Sequence, residues 1–359
     1  MVILGSTGSI GLNTLFIAKK FNLKVNALCA NKNSELLNRQ IEEFSPEFVA
    51  IGDETKAKEI NHPRVFAGVN GILEMIDAAY KKDDTLLVNA LVGFAGLRPT
   101  IKAIEKGYKI ALANKESLVI AGEFLDISRI SPIDSEHFGL WYLLDKRKPV
   151  KLILTASGGA FRDTPLKKLD NVSLSEALNH PNWQMGQKIT IDSATMVNKL
   201  FEILEAYWLF GIQDIDALIE TKSIIHALVQ FTDGSTTAHL ANADMKLPIA
   251  FALLGEVSEP ILPPVNLLQI KNIEFRDIDL ERYPVWQLRK TLLQKPHLGV
   301  VLNAANEIAI RLFLENRITF TDIASYILKA MNKFENIHVL NFNELFAADK
   351  EVREFCTKI

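Results

Sequence analysis

The residues of this chain that could do chemistry are mostly acids, hydroxyls and lysines, and two short stretches bring them close together. In PIDSEH, residues 132–137, Asp134 and Glu136 flank Ser135. Acids at i and i+2 of an extended segment point to one side of it. In NKLFEILE, residues 198–205, a helix places Asn198, Glu202 and Glu205 on one face, with Lys199 one turn before Glu202. A carboxylate from that helix meeting Asp134 and Glu136 makes a hard oxygen set, suited to Mg²⁺ or Mn²⁺ rather than zinc. DSE alone reads rather as a solvated turn, since acids in turns usually face water. The pairing of the two stretches is what favours a cation.

Further features suit a phosphate. Ser157-Gly158-Gly159 ends an apolar run and can present amides and a hydroxyl as an anion nest. Ser193 is placed at the start of the strongest helix, where it serves either an anion or the N-cap. Lys199 adds a point charge. The loop HPNWQMG, residues 180–186, carries His180, Trp183 and Met185 without core periodicity. It reads as an apolar cover for a ligand or as an ordinary loop with an aromatic anchor. At the other end, GSTGSIG spans Gly5 to Gly11 between the first strand and the first helix. Its amides and the helix N-terminus can cradle a pyrophosphate, with Gly8 allowing close approach and Thr7 and Ser9 adding hydroxyls. The second strand ends in Ala30-Asn31-Lys32-Asn33, with no acid until Glu35. A lysine and amides suit a ribose 2′-phosphate, which favours NADP(H) over NAD.

The elements that must position these groups follow from periodicity. Residues 1–133 alternate short apolar strands with helices, which predicts an α/β, Rossmann-like parallel sheet covered on both faces. Within it, LNTLFIAKKF is a helix with Leu12, Leu15 and Phe16 inward, and LRPTIKAIEKG is a helix stopped by Gly107. Residues 134–258 read as a central α+β catalytic domain. It holds the strand VKLILTAS, an aperiodic loop over 161–187, one long helix over DSATMVNKLFEILEAYWLF, and a hairpin about Asp233-Gly234. Met196, Leu200, Ile203, Tyr207 and Phe210 form that helix's buried stripe. Prolines introduce a linker over 259–282, and 283–359 is a C-terminal helical domain. His226 and His239 read as sheet residues.

Composition sets the outer limits. The 359 residues are 48% hydrophobic and 23% charged, an ordinary globular balance. A net charge of −3 gives no electrostatic case for nucleic acid or a membrane surface. The start of the chain reads as a strand rather than an export signal. Cys29 and Cys356 have no metal-like or redox-like spacing, so both are expected as free thiols in the cytoplasm.

Taken in order, GSTGSIG, ANKESLV, PIDSEH, LTASGGAFR, HPNWQMG, KITIDSATMVNK and LNAANEI resemble the 1-deoxy-D-xylulose 5-phosphate reductoisomerase family over nearly the whole chain. The resemblance implies rearrangement and NADPH reduction of a sugar phosphate, 1-deoxy-D-xylulose 5-phosphate, to 2-C-methyl-D-erythritol 4-phosphate. It also implies a three-domain homodimer. Asp134, Glu136 and Glu202 match divalent-metal ligands and, with Lys115 and His180, form the implied catalytic set. Ser135, Ser157, His180, Ser193, Asn198 and Lys199 match substrate-holding residues, and Lys115 a substrate lysine beside the nicotinamide. Thr7, Gly8, Ser9, Ile10, Lys32, Asn33, Asn114, Glu116 and Gly186 match cofactor contacts, and Trp183 and Met185 the flap. The chain departs from the family at Asn31, where a glycine is common, and at Leu200, where a glycine usually follows the lysine. Two other readings share parts of the pattern: a metal-independent NADP-linked semialdehyde or sugar dehydrogenase, and a non-catalytic NADP-binding regulatory module.

Overall fold

The computed structural model describes residues 1–82, 85–144 and 147–359. Its contacts gather the chain into two compact units. The first comprises Met1–Ser117, Leu125–Asp134 and Asp244–Leu262; the second comprises Leu118–Phe124, Ser135–Ala243 and Pro263–Ile359. Sequence alone had divided 244–262 between the central domain and the linker. Helix 246–254 instead buries Ile249 and Ala250 in the core of the first unit, against Leu15, Ile17 and Ala18. The partner surface is more than 200 residues away in the chain, beyond the reach of local pattern.

The first unit is a seven-stranded sheet of β1 (Val2–Leu4), β2 (Ala27–Ala30), β3 (Phe48–Ile51), β4 (Val65–Ala67), β5 (Leu86–Asn89), β6 (Lys109–Leu112) and β7 (Ile130–Pro132). All neighbours are parallel, in the order β4-β3-β2-β1-β5-β6-β7. Val2 lies beside Ala27 on one side and Leu87 on the other, so the order reverses at β1. Ligands of such sheets bind at the strand ends beside this reversal. Helices α1 (Ser9–Lys20), α2 (Ser34–Phe44), α3 (Gly68–Ala79) and α4 (Leu97–Lys106) alternate with the strands, and α5 (Lys115–Ala121) starts in this unit and continues into the second. Gly107 stops α4 in the left-handed region (φ +93°), as its sequence predicts. The inward face of α1 differs from expectation. Leu15 is buried, but Leu12 and Phe16 are about half exposed, at 45% and 51%. The turn fixes this orientation: a Cβ on Gly11 would lie 2.2 Å from the Gly5 carbonyl oxygen, so Gly11, Leu15 and Ala18 take the sheet side. The Phe16 ring instead receives the Lys246 ammonium, 5.4 Å from its centroid.

The second unit holds a five-stranded sheet of β8 (Pro149–Ala156), β9 (Ile215–Glu220), β10 (Ile225–Phe231), β11 (Thr236–Leu240) and β12 (Phe275–Arg276), ordered β11-β10-β8-β9-β12. β12 falls within the expected linker and pairs antiparallel with β9. The hairpin at Asp233-Gly234 forms as expected, with Asp233 accepting the Ser235 amide. Around the sheet lie α6 (Ser135–Leu143), α7 (Leu174–Ala177), α8 (Gln187–Thr195), α9 (Val197–Phe210), and, beyond α10 (Lys246–Leu254) of the first unit, α11 (Leu267–Ile270) to α15. Helices α12 (Arg289–Gln294), α13 (Gly299–Leu314), α14 (Phe320–Lys333) and α15 (Phe342–Lys358) build the helical end. The segment Pro296–Leu314 is apolar and long enough to cross a membrane, but 78% of it is buried, which makes it a core helix.

The single long helix expected over 192–210 is two. Met196 adopts φ +70°, its amide donates to the Ser193 carbonyl, and the Thr195 hydroxyl bonds back to Ile191. Ser193 therefore sits in the last turn of α8 and not at the start of α9, so it has no N-cap role. PIDSEH also differs: α6 begins at Ser135, so Asp134 precedes a helix and Glu136 lies in its first turn.

Candidate active site

In the first unit, β1 delivers the glycine turn at the sheet's reversal point. The Gly5 and Ser6 amides both donate to the Cys29 carbonyl at 2.8 Å, tying the turn to β2. Gly8 and Ser9 are exposed, and a Cβ on Gly8 would meet only the Gly5 oxygen, at 3.4 Å. The first-turn amides of α1, including those of Ser9 and Ile10, thus face a surface that an anion can approach closely. Thr7 borders the same turn. Lys32 and Asn33 are exposed after β2, where Asn33 caps α2 by accepting the Leu36 amide at 3.0 Å. Asn31 lies against Gly52, whose Cβ would come within 2.7 Å of its side-chain oxygen.

Asn114 is fully buried and its side chain is committed to the fold. It donates to the Leu91 and Gly93 carbonyls at 2.9 Å and to Glu116 at 3.1 Å, and accepts from Ser117. Any cofactor contact from Asn114 is left to its backbone. Beside it, Lys115 and Asp134 form a largely buried ion pair at 2.5 Å.

In the second unit, α9 and α6 present the remaining acids. Glu202 is 1% exposed and Lys199 3%. A carboxylate oxygen of Glu202 and one of Glu136 lie within 4.8 Å of each other. The Lys199 ammonium bridges them, 2.8 Å from Glu136 and in short contact with Glu202, and it also donates to the Thr155 carbonyl at the end of β8. Burial alone would lower the lysine's pKa, but the two carboxylates outweigh it and hold the ammonium above its usual range. Ser135 donates to the second oxygen of Glu136 and Asn198 to that of Glu202, both at 2.5 Å. Two converging carboxylates only half offset by one ammonium are a hard oxygen donor set that fits Mg²⁺ or Mn²⁺. Leu200 is fully buried at the stripe position, in keeping with a packing role.

β8 runs directly from Thr155 into Ser157-Gly158-Gly159. The Ser157 hydroxyl lies 2.8 Å from His180 Nε2 and 3.4 Å from the Ser193 hydroxyl, and His180 Nε2 is 3.2 Å from Ser193. Gly159 lets α8 approach: its Cβ would fall 2.5 Å from Ala194 Cα, and its φ is +68°. The His180 pKa is pushed down to about 4, first by burial and then by the Arg162 guanidinium. Trp183 follows in the loop, its ring 6.2 Å from that of His226. His226, expected as a sheet residue only, therefore also supports the loop. Met185 is half-buried, and Gly186 provides the N-cap position of α8.

Three residues here escaped the sequence reading. Thr155 offers Lys199 a carbonyl. Arg162 donates to the Ser157 and Thr221 carbonyls at 2.8 and 3.0 Å. Asn182 donates to Thr221 and Ser223. Arg162 lies in LTASGGAFR and Asn182 in HPNWQMG, but nothing in their local spacing distinguishes them from solvated loop residues.

Comparison with known proteins decides the family. The 1-deoxy-D-xylulose 5-phosphate reductoisomerase model matches residues 1–122, that of its C-terminal domain 130–210, and a DXP reductoisomerase C-terminal domain model 240–355. The chain belongs to the 1-deoxy-D-xylulose 5-phosphate reductoisomerase family. A reductoisomerase of that name from Nautilia profundicola is 57% identical, with 99% of each chain covered. One from Helicobacter pylori strain J99 is 51% identical, over 99% of this chain and 98% of the relative. Among solved structures, a DOX-P reductoisomerase in complex with NADPH, fosmidomycin and magnesium superposes with a TM-score of 0.91 at 34% identity. The Zymomonas mobilis reductoisomerase in complex with NADPH gives 0.88 at 31% identity. Each covers 99% of this chain and 97% of its own. The reductoisomerase resemblance and the α/β fold expected from the sequence are both borne out.

Proposed function

We infer that this chain carries out the NADPH- and divalent-metal-dependent conversion of 1-deoxy-D-xylulose 5-phosphate to 2-C-methyl-D-erythritol 4-phosphate. The observation that carries the assignment is local to β8. Its end holds a buried carboxylate–lysine cluster at Thr155 and, two residues later, a serine–histidine nest at Ser157. A sugar phosphate needs both a cation for its oxygens and donors for its phosphate.

We assign Glu136 and Glu202, with Asp134 two residues before Glu136 in the chain, as the metal's carboxylates. A divalent ion bound there would polarise the substrate carbonyl and stabilise developing oxyanion charge. Ser157, Ser193 and the His180 Nε2–H supply donors to the phosphate, with Asn198 and Lys199 bordering it, and so fix the carbon skeleton in orientation. Ser135, which donates to Glu136, is assigned to the substrate as well. NADPH, bound on the glycine turn with Lys32 and Asn33 at its 2′-phosphate, supplies hydride. Lys115 offers an ammonium to negative oxygen near the hydride acceptor. The loop bearing Trp183 and Met185 closes over the sugar and excludes water. Family membership supports these roles, as does the fit of each donor to its expected ligand. We further propose a cytoplasmic homodimer, which mass in solution and cell fractionation check.

The test is to mix the protein with NADPH, Mg²⁺ and 1-deoxy-D-xylulose 5-phosphate and follow nicotinamide absorbance. Decay that stops with a chelator and returns with Mn²⁺ is expected. Decay indifferent to the chelator would point to a metal-independent dehydrogenase, and no decay with any sugar phosphate to a binding module.

A further inference from the structure

We propose that Asn182 is a positioning residue that fixes His180 in its Nε2–H tautomer and aims that proton at the anion held between Ser157 and Ser193. The proposal rests on the reading of that nest as the phosphate site. A neutral imidazole carries one proton, and its other nitrogen can only accept. His180 Nδ1 accepts two backbone amides, from Asn182 at 3.2 Å and Trp183 at 2.9 Å. A proton on Nδ1 would face two N–H groups, so it resides on Nε2. That nitrogen points at the Ser157 and Ser193 hydroxyls.

The amides reach Nδ1 only because the chain folds back over the ring at Asn182. The Asn182 side chain holds it there, donating to the Thr221 carbonyl at 3.1 Å and the Ser223 hydroxyl at 2.7 Å. The receiving turn is itself fixed. Glu220, fully buried, accepts the amides of Lys222 and Ile224 at 2.7 Å and of Ile225 at 3.1 Å. Arg162 ties the same Thr221 carbonyl to the carbonyl of Ser157. One turn therefore anchors both sides of the nest: the serine through Arg162 and the histidine through Asn182. Burial keeps the ring neutral, which makes the choice of tautomer the variable that matters. The wrong tautomer would turn a lone pair toward an anion.

The experiment uses full-length protein labelled with ¹⁵N-histidine. The wild type should show His180 with Nδ1 unprotonated and Nε2 protonated. In Asn182→Ala a second tautomer should appear, and the dissociation constant for inorganic phosphate should rise about tenfold, with substrate KM rising more than kcat falls. Ser223→Ala removes only one of the two acceptors. It should shift both readouts the same way by less, and it decides the matter if Asn182→Ala does not fold. His180→Ala is the reference: unchanged phosphate affinity there would sink the nest itself. Weakened affinity in His180→Ala, with Asn182→Ala keeping one tautomer and phosphate affinity within roughly twofold, would overturn the tautomer proposal alone. A protonated Nδ1 in the wild type would overturn it outright.

Discussion

Replacing Lys199 by Met keeps the buried stem and removes the ammonium that lies between Glu136 and Glu202. Their oxygens lie within 4.8 Å, so at an effective dielectric of about 20 two unit charges repel by about 3.5 kcal/mol. That falls in the range of about 3–5 kcal/mol for breaking a buried pair. A closer approach would raise this figure and proton uptake by one carboxylate would relieve part of it, so about 3.5 kcal/mol serves as the expected loss at neutral pH. For a unit of this size each kcal/mol moves Tm by roughly 2–4 °C, which predicts a fall of up to about 14 °C without metal. Added Mg²⁺ should restore much of this loss, because it replaces the missing charge and binds only the folded state. The Mg²⁺-dependent rise in Tm should therefore be larger in the variant than in the wild type, where the ion must compete with the ammonium. Thermal unfolding with and without Mg²⁺ reads both numbers. If the variant unfolds within about 2 °C of wild type and gains no more from Mg²⁺, the carboxylate-pair account is wrong.

Glu202→Gln leaves Lys199 paired with Glu136 but removes a carboxylate from the proposed metal set. Mn²⁺ affinity measured by calorimetry should fall by at least about tenfold, with NADPH affinity nearly unchanged. Asn306→Leu takes the 2.6 Å donor from Asp192, a carboxylate only 2% exposed that also pairs with Lys188. Urea unfolding should show a loss of about 1–3 kcal/mol. His180 has its folded pKa depressed to about 4, below its ordinary 6.5. The unfolded chain therefore binds more protons between those values, and stability falls as pH drops through the window. From about pH 7 to about pH 5 the wild type should lose about 1–2 kcal/mol more than His180→Asn, after discounting for partial exposure. Equal losses would show that the ring titrates normally.

What could be read from the sequence depended on whether the deciding interaction was local. Strand–helix alternation located the parallel sheet because side-chain period is a local property, and Gly107 and Asp233-Gly234 marked their turns for the same reason. The break at Met196 gave no such signal. Neither Gly nor Pro marks it, and the left-handed methionine there is fully buried, with its amide on the Ser193 carbonyl. Leu12 and Phe16 misled because the roll of α1 is set by the contact between Gly11 and Gly5, not by its most apolar residues. In the site, acids, hydroxyls and lysine were recognisable as types. Their pairing, with Lys199 reaching Glu136 across 63 positions, was not. Arg162, Asn182 and Glu220 were invisible because a polar residue that organises a turn has the same local context as one that faces water.

Helix α9 shows why the acids are where they are. From Lys199 to Ala206 every residue is buried, and three of these eight are ionisable: Lys199, Glu202 and Glu205. Each carries a desolvation penalty of several kcal/mol, and well-packed apolar residues of similar volume would make a helix at least as stable. The surroundings supply these polar side chains with partners. Asn198 and Lys199 divide the two oxygens of Glu202 between them. His137, fully buried, donates Nε2–H to the Glu202 backbone carbonyl at 2.9 Å and faces Glu205 at 3.5 Å, its ring stacked on Phe210. A helix selected for stability alone has no use for this arrangement. One that supplies a carboxylate to the metal set proposed above, oriented and dry, has a use for each of these contacts.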